Sequence, residues 1–481
     1  MRRALRPRSL VLLLVIVAAG VAAWSLTRED GLPPPGEPAV IDPDAADPFL
    51  YDEARRAEFE RRAAAGSSHV LYAKSPGGVL ATTQRTAVFR AQVESAAPAA
   101  GVEPDILEAI VFLESAGRPD AVADAKLEGA VGLTQILAET GRNLLAMRVD
   151  PAAARKLSRR IRRAERRGQT AAARRLRARR SQVDERFDPV KSLQATARYL
   201  TFALGRLGRP DLAVASYHMG VGNLENVIAD FRRSGSEPRS YAQLYFGSSP
   251  RGRPAPYRRL LALGDDSSTY LWRVLAAREI MRLLGEDPAE LDRRAELQTA
   301  KNSAEEVLHP LQRSERFATP GKLRAAYRRG RIVALPLALL ARRGIQVDTQ
   351  MGELARRIGG RARTYRGLRP GALALLEYLG AGVKAISKQQ PLVLTSTVRD
   401  QRYQRVLISG NREATRNYSL HTTGWAFDIL RSYRSRRQGL AFEYMLGRLQ
   451  SYDLIAWVRE PAAIHVTVSS RADELVGRLD G

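Results

Sequence analysis

The sequence predicts a multidomain protein in which a mostly α-helical region precedes a smaller α+β region, with a membrane helix at the N-terminus. Three observations support this fold class. The chain has 481 residues, which corresponds to two to four folded units at about 150 residues per domain. Helical periodicity dominates from residue 52 to about residue 285. Segments typical of short strands begin only after about residue 371.

The composition limits the class of protein. Apolar residues make up 44% of the chain, which is enough for hydrophobic cores, and aromatic residues make up only 6%, which favours helical cores of Ala, Leu and Val. The formal net charge of +26 predicts anionic partners such as nucleic acid, anionic lipid or an acidic polymer. The chain has no cysteine. That excludes a disulfide framework, a Cys-ligated zinc site, an iron–sulfur cluster and a thiol nucleophile.

The N-terminus predicts export. Four arginines within the first eight residues precede an apolar run at residues 10–26, as in a signal anchor or signal peptide. Val21-Ala22-Ala23 would suit cleavage, but the run is also long enough for a short anchor, which we favour. Residues 27–48 then form a Pro-rich linker. We therefore expect a protein on the extracytoplasmic side of a cell envelope, membrane-anchored or secreted, without a nucleic-acid partner.

A strongly basic segment interrupts the helical region. Between Arg155 and Arg180 the chain carries 13 Lys and Arg residues and one acid, Glu165. Gly168 divides the segment, so we predict a helical hairpin, inserted at residues 150–185. Two interpretations remain open: a solvated helical face, or a surface that binds an anionic wall polymer or lipid headgroups.

A single glutamate ends an amphipathic helix predicted at residues 104–113. Ile106, Ile110 and Leu113 lie on one face of this helix, and Glu114 follows them. A carboxyl in such a place is poorly solvated, so its pKa should be raised. A raised pKa lets a carboxylic acid protonate a glycosidic oxygen near neutral pH.

Three short blocks around this glutamate resemble the soluble lytic transglycosylases, a family with a lysozyme-like fold. The blocks are Glu-Ser-Ala-Gly at 114–117, Gly-Ala-Val-Gly-Leu-Thr-Gln at 129–135 and Ala-Ser-Tyr-His-Met-Gly at 215–220. The resemblance covers residues 86–285 and implies a transglycosylase-like domain at residues 49–285. It assigns the catalytic role to Glu114 and substrate binding to Gln135, Tyr217 and His218. Thr134 and His218 stand where the family usually has Met and Asn, which could alter glycan contacts.

The resemblance also implies a reaction on peptidoglycan. Glu114 would protonate the oxygen between N-acetylmuramic acid and N-acetylglucosamine, then act as base on the muramyl 6-hydroxyl, giving a 1,6-anhydro product. No cofactor is implied for this domain. Asp120 and Asp124 follow Glu114 closely, so a hydrolytic mechanism with a second carboxylate stays open.

Four segments after residue 371 have the pattern of short strands. They are Leu392–Ser396, residues 406–409, Ala426–Leu430 and residues 464–468. Residues 286–370 are Arg-rich and helical in pattern, and we interpret them as a helical connector. The α+β domain is expected at residues 371–475.

Two of the five histidines fall in the strand-rich part with a carboxylate between them. These residues are His421, Asp428 and His465. Two imidazoles and one carboxylate leave the fourth position of a tetrahedral zinc open, as in catalytic zinc sites. From the residues alone, a chance grouping is the alternative.

The surrounding pattern resembles the M15-type D-alanyl-D-alanine peptidases. Ser-Leu-His-Thr-Thr-Gly-Trp-Ala-Phe-Asp at 419–428 and Ser-Thr-Val-Arg at 396–399 carry the resemblance, which covers residues 371–475. It implies a zinc ion on His421, Asp428 and His465, with Arg399 and Gln404 binding the substrate.

The usual catalytic glutamate of that family is replaced by Ala462. Glu460 is our catalytic candidate, because residues three and five positions before His465 face the same side of an extended strand. Asp453 is a poorer candidate. A domain that binds metal without activity is the alternative.

Both resemblances point to peptidoglycan. The sequence therefore predicts a bifunctional wall-remodelling enzyme that cuts the glycan strand and the stem peptide. The alternatives are a transglycosylase with a non-catalytic C-terminal domain and a non-enzymatic wall-binding scaffold.

Overall fold

The computed structural model describes residue 47 and residues 49–123, 127–300, 304–410 and 418–475. The predicted N-terminal helix at 1–26 and almost all of the linker at 27–48 lie outside these residues. Within the described part of the chain, no helix is long and apolar enough to cross a membrane. The prediction of a mostly helical N-terminal region followed by a region with a mixed sheet is confirmed.

The helical region contains fourteen α-helices among the described residues. They are α1 Arg56–Lys74, α2 Val79–Ala87, α3 Arg90–Ala100, α4 Pro104–Ser115, α5 Ala138–Asn143, α6 Pro151–Arg166, α7 Thr170–Val183, α8 Pro189–Leu207, α9 Pro210–Met219, α10 Val221–Arg233, α11 Tyr241–Phe246, α12 Pro254–Ala262, α13 Tyr270–Glu286 and α14 Pro288–Thr299. Helix α13 packs against both α1 and α4, and α4 is the helix that carries Glu114.

The segment predicted as a basic hairpin consists of α6 and α7, which pack against each other. Gly168 lies between them with a φ of 68°, a backbone conformation that glycine adopts without steric cost. Asp150 caps α6 by accepting a hydrogen bond from the backbone N–H of Ala153 at 2.9 Å.

Among its described residues, the second region contains six further α-helices and seven strands. The helices are α15 Ala304–Leu308, α16 Pro320–Arg328, α17 Leu337–Arg342, α18 Pro370–Ser387, α19 Gln401–Gly410 and α20 Arg436–Ser451. The strands are β1 Val333–Ala334, β2 Ile345–Val347, β3 Gly367–Leu368, β4 Leu392–Ser396, β5 Ala426–Leu430, β6 Ile455–Arg459 and β7 Ala463–Val468. Five of them form one sheet in the order β2-β4-β5-β7-β6, in which only β2 and β4 pair in parallel.

Three of the four strand predictions agree with the structure, and the fourth is wrong. Residues 406–409 belong to α19 instead. Asp400 explains the difference, because its carboxylate accepts hydrogen bonds from the backbone N–H groups of Arg402 and Tyr403 at 2.8 and 3.1 Å. This cap starts a helix that the short apolar run by itself does not indicate.

Residues 286–370, interpreted as a helical connector, contain short strands as well as helices. Strand β2 lies in this segment and forms the edge of the sheet beside β4, and β1 pairs with β3. Ile345 is 1% exposed, so burial of its apolar side chain favours the strand. The sheet region therefore begins before residue 371.

The two regions share one continuous hydrophobic core. Helix α1 packs against α20. Arg448 of α20 donates hydrogen bonds to the carbonyls of Phe246 and Ser248 at 2.6 and 3.0 Å. Tyr452 donates to the carbonyl of Phe49 at 2.7 Å. These contacts join the helical region to the sheet region.

Candidate active site and candidate metal centre

Glu114 lies in the last turn of α4, where the chain leaves the helix. Ala116 has a φ of 56° and its N–H bonds to the carbonyl of Phe112, which closes the helix directly after Glu114. The side chain is half-buried, and its Oε1 accepts a hydrogen bond from the Tyr270 hydroxyl at 2.7 Å. Burial raises the pKa of Glu114 to about 7, although the hydrogen bond from Tyr270 opposes this shift. Near neutral pH the carboxyl can therefore hold or accept a proton.

An aromatic cluster surrounds this carboxyl. Tyr270, at the start of α13, stacks with Tyr217 at a centroid distance of 6.2 Å and with His218 at 5.4 Å. His218 is exposed, and its Nδ1 lies 2.8 Å from the Ser267 hydroxyl. The structure thus brings the predicted residues Tyr217 and His218 to Glu114 through Tyr270. Sequence reasoning missed Tyr270, which lies 156 positions from Glu114 and has no local motif.

Thr134 belongs to the core and cannot contact a glycan directly. It is fully buried. Its hydroxyl lies 2.7 Å from that of Ser192 and accepts a hydrogen bond from Thr196 at 2.8 Å. Its carbonyl accepts a hydrogen bond from the Tyr217 hydroxyl at 2.8 Å. The effect that Thr134, in place of the usual Met, is expected to have on glycan contacts is therefore indirect and acts through the position of Tyr217.

Gln135 shapes the loop that carries it. Its side-chain amide donates hydrogen bonds to the carbonyls of Gly132 and Ala121 at 2.8 and 3.3 Å. A Cβ on Gly132 would lie 1.8 Å from the carbonyl oxygen of Arg186, so only glycine fits there. Arg186 is paired with Asp184, and both side chains are fully buried. The loop at Gly132 therefore packs against the buried Arg186–Asp184 ion pair, whose residues lie outside the 129–135 motif.

Asp120, one candidate for a second catalytic carboxylate, is engaged by the basic hairpin. Its two oxygens pair with Arg177, at 2.7 Å, and with Arg180. The guanidinium of Arg180 also lies over the ring of Phe187 at 3.9 Å. Asp124, the other candidate, lies outside the described residues. The structure thus assigns Asp120 to the attachment of the hairpin.

The three residues predicted to bind metal come together in the sheet region. Asp428 on β5 and His465 on β7 are direct partners across the sheet, and His421 lies in the 3₁₀ turn Leu420–Thr423 before β5. All three are buried, and one potential ligand atom from each lies within 4.8 Å of the others. His465 Nδ1 is 2.7 Å from Asp428 Oδ1, and His421 Nε2 is 3.1 Å from Asp428 Oδ2.

The distance between His421 and Asp428 and the protonation states of these two residues fit a divalent metal. Bonds of about 2.0–2.1 Å in a tetrahedron separate neighbouring ligand atoms by roughly 3.3 Å, close to the separation between His421 and Asp428. His421 Nδ1 lies 2.8 Å from the carbonyl of Thr397, which leaves Nε2 to face Asp428. Burial lowers the pKa of His421 to about 4. Burial alone would raise the pKa of Asp428, but the two histidines hold it well below its usual value. A neutral imidazole and an ionised carboxylate are the metal-binding forms. His465 differs: burial alone would lower its pKa, but its hydrogen bond with Asp428 raises the pKa above its usual value.

Arg399 and Gln404 meet beside the triad. Arg399 Nη2 donates to the Ser396 hydroxyl at 2.7 Å and lies 3.4 Å from Asp428 Oδ2, and Nη1 donates to Gln404 Oε1 at 3.1 Å. A cavity of about 220 Å³ opens next to them. Its polar lining includes Asp348, Gln350, Glu353, Tyr365, Ser396 and Arg399.

The strand argument for Glu460 is wrong, because the chain turns between β6 and β7. Glu460 bonds through its N–H to the carbonyl of Ala463 at 2.9 Å, so it does not lie on the strand of His465. Its charge nevertheless acts on the site. Burial lowers the pKa of Arg399, and Asp428 and Glu460 oppose that shift. Asp453, the second choice, is paired with Arg471.

A further buried carboxylate, Glu305, was missed in the sequence. It belongs to α15, and its Oε1 lies 3.4 Å from His465 Nε2. Its side chain is 11% exposed. No motif marks it, since it falls in the segment interpreted as a connector.

A comparison with protein-family models matches a transglycosylase SLT domain at residues 168–239. The matched residues include Tyr217 and His218 and end before Tyr270, and Glu114 precedes them. No curated protein and no solved structure matches the chain. The match indicates a lytic transglycosylase that acts on peptidoglycan, and hence a location in the cell envelope.

Proposed function

We propose that the protein is a bacterial cell-wall remodelling enzyme whose helical region cleaves the bond between N-acetylmuramic acid and N-acetylglucosamine. The observation that supports this proposal most directly is the state of the Glu114 carboxyl. It accepts a hydrogen bond from Tyr270, and burial raises its pKa to about 7. A group with a pKa near the ambient pH can act as acid and base in successive steps. The SLT match supports peptidoglycan as the substrate.

Glu114 acts twice in this mechanism. It first gives its proton to the glycosidic oxygen, while the bond from that oxygen to C1 of the muramyl residue breaks. Its carboxylate then accepts the proton of the muramyl 6-hydroxyl as that oxygen bonds to C1. The product is a 1,6-anhydro sugar, no water is consumed, and Glu114 ends protonated as it began. One carboxyl suffices, which agrees with the engagement of Asp120 by Arg177 and Arg180.

The residues around Glu114 position the glycan. His218 is exposed beside Tyr270 and presents a polar ring to the substrate. Tyr217 is half-buried and fixed by Thr134, so it forms a rigid part of the wall. Gln135 contributes through the shape of its loop, because its amide donates to two loop carbonyls.

The test is mass spectrometry of purified peptidoglycan after digestion by the protein. Products with 1,6-anhydromuramyl ends are expected. Reducing ends would identify a hydrolase and contradict the mechanism. Undigested peptidoglycan would favour the wall-binding scaffold.

We further propose that the sheet region binds zinc through His421, Asp428 and His465 and cleaves stem peptides. When bound, the metal supplies Lewis-acid activation of the scissile amide. Arg399 is placed to hold a peptide carboxylate or polarise a carbonyl, with Gln404 supporting its guanidinium. The polar cavity beside Arg399 is of a size for a short peptide segment. Glu460 is the candidate proton acceptor as the acid nearest in sequence to the Ala462 position, and its negative charge acts to raise the pKa of both Arg399 and His465.

Glu460→Gln tests the catalytic part of this proposal. The variant should keep the metal and lose peptide trimming, since an amide cannot accept the proton. Full trimming would move the base elsewhere. A metal-loaded wild type that trims no peptide would favour a non-catalytic binding domain.

The exposed side of the hairpin completes the proposal. Basic side chains are exposed there on both helices: Lys156, Arg159, Arg160, Arg162, Arg163, Arg166, Arg167, Arg174, Arg175 and Arg179. Three others are held in ion pairs, Arg155 with Glu128 and both Arg177 and Arg180 with Asp120. The exposed set would hold the enzyme on an anionic wall polymer or on lipid headgroups, beside the loop that follows Glu114. A merely solvated face is the alternative.

A further inference from the structure

The segment that follows the helical region is fixed on the sheet next to the candidate metal centre. Helix α15 packs against β6 and β7. His309, directly after it, has its Nε2 2.6 Å from the carbonyl of Val468 and stacks on Trp425 at 5.2 Å. Tyr418 donates a hydrogen bond to the His309 carbonyl at 2.9 Å. The segment therefore has a defined place on the sheet.

Glu305 places a buried carboxylate beside Nε2 of His465, the ring nitrogen that does not face Asp428. Its Oε1 lies 3.4 Å from His465 Nε2 and accepts a hydrogen bond from the Thr467 hydroxyl at 3.4 Å. That hydroxyl is also 3.4 Å from His465 Nε2. The imidazole thus has Asp428 at Nδ1 and Glu305 with Thr467 at Nε2.

We propose that Glu305 is a positioning residue for His465 and so a part of the metal centre. When zinc is bound, Glu305 accepts the Nε2–H of the neutral ring and so fixes the tautomer whose Nδ1 lone pair is the ligand. Without zinc, the 2.7 Å between Nδ1 and Asp428 Oδ1 is a hydrogen bond that Nδ1 donates. Such an outer carboxylate orients a metal-binding histidine and makes it a stronger base. The inference rests on the proposed metal centre.

The two histidines would then be oriented in the same way: in each ring, one nitrogen is held by a hydrogen-bond acceptor and the other faces Asp428. His421 has its outer nitrogen on the Thr397 carbonyl at 2.8 Å and turns Nε2 inward. His465 has its outer nitrogen on a carboxylate and turns Nδ1 inward. In both rings the nitrogen that faces Asp428 is left as the ligand.

The charges of the site support the same assignment. Asp428 is the one acid among the three proposed ligands, and the guanidinium of Arg399 lies 3.4 Å from it. The negative charge of Asp428 is thus already partly offset before a cation binds. Glu305 supplies a second buried negative charge, which a divalent cation in a dry site needs.

Zinc affinity is the test, measured on the full chain by competition with a chromophoric chelator, with the Co²⁺ absorption spectrum as a second readout. Glu305→Ala should weaken zinc binding about 10- to 100-fold, the usual cost of losing such a partner. It should also alter the Co²⁺ spectrum. Glu305→Asp should bind zinc more tightly than Glu305→Ala, because it keeps the carboxylate. The zinc affinity of Glu305→Gln should lie between those of Glu305→Ala and the wild type, because its oxygen accepts the hydrogen bond without the charge.

Glu306→Gln, on the same helix, is the matched control and should leave zinc affinity unchanged. Unaltered glycan cleavage, which depends on Glu114, would show that each variant is folded. Equal zinc affinity and Co²⁺ spectra in wild type and Glu305→Ala would overturn the role of Glu305 and leave the metal centre intact. A wild type that binds no zinc would instead reject the metal centre itself.

Hydrogen exchange gives a test that needs no substitution. Because Glu305 is linked to the metal through His465, zinc should slow amide exchange at residues 304–309 in the wild type. Unchanged exchange in zinc-loaded protein would contradict the proposal, even if Glu305→Ala failed to fold.

Discussion

The candidate sites of the helical and sheet regions control protons in opposite ways. In the helical region, burial raises the pKa of Glu114 to about 7, so the carboxyl keeps a proton that it can give away. In the sheet region, Asp428 is kept ionised and His421 neutral, which are the forms that bind a cation, while Asp428 raises the pKa of His465 against the effect of burial. The same burial thus favours an acid in one region and a ligand set in the other. The decisive difference is what faces each carboxyl group: one tyrosine hydroxyl at Glu114, and two imidazoles with the Arg399 guanidinium at Asp428.

If this difference is real, substitution in one region should leave the other region's chemistry intact. Glu114→Gln is the largest expected effect, because the amide can neither donate nor accept the proton. Glycan cleavage should fall about 100-fold or more, while zinc content and peptide trimming stay as in the wild type. Quantifying anhydro-muropeptides by mass spectrometry checks this. Undiminished release of these products would remove Glu114 from the mechanism.

His421→Ala is the reciprocal experiment. It removes a proposed zinc ligand itself. The loss of zinc affinity should therefore exceed the roughly 10- to 100-fold loss expected on removing a residue that only positions a ligand, as Glu305 does. Peptide trimming should disappear and glycan cleavage should persist. His69→Gln is a suitable control, since His69 contacts Gln298 in the helical region. Full zinc content in purified His421→Ala, measured by elemental analysis, would reject the site.

The raised pKa of Glu114 also predicts how stability depends on pH. Between about pH 4.5 and 7 the folded state binds more protons at this group than the unfolded state, so the free energy of unfolding falls as pH rises. The shift from 4.5 to about 7 corresponds to about 3 kcal/mol. Glu114→Gln lacks this ionisation, so its stability relative to wild type should increase by about that amount between pH 4.5 and 8. Denaturant unfolding at both pH values measures the difference, and a pH-independent difference would contradict a buried, protonated Glu114.

The comparison also shows what the sequence could predict. Glu114, His421 and Asp428 lie in short motifs, and His465 lies in an apolar strand pattern, so local patterns were sufficient to select them as candidates. Tyr270 lies 156 positions from Glu114, and Glu305 lies 162 positions from Thr467. Such partners are brought in by tertiary packing and leave no local pattern.

The errors have a similar origin. The strand predicted at 406–409 ignored the cap supplied by Asp400. The argument for Glu460 assumed a straight strand where the chain turns at residues 460–463. Strand β2 was missed because three residues carry too little periodicity, and its place is fixed by pairing with β4.

The smallest expected effect concerns the hairpin and again contrasts the two regions. Arg159, Arg160, Arg162 and Arg163 are exposed on α6. A basic residue near an anionic surface contributes up to about 1 kcal/mol, so replacing all four by Gln should weaken binding to cell walls or anionic vesicles by about tenfold or more at low salt. Exposed charges are screened beyond about 8 Å at physiological ionic strength, so the difference should shrink as salt is added.

A matched control removes the same charge from the sheet region. Arg328, Arg329, Arg356 and Arg357 are also exposed, and their replacement by Gln should change sedimentation with walls or vesicles far less. Equal losses in the two variants would mean that net charge alone drives binding. Salt-independent binding that neither variant changes would reduce the hairpin to a solvated face. A loss with walls but not with vesicles would select the wall polymer as the partner, because only that surface would then need the charges of α6.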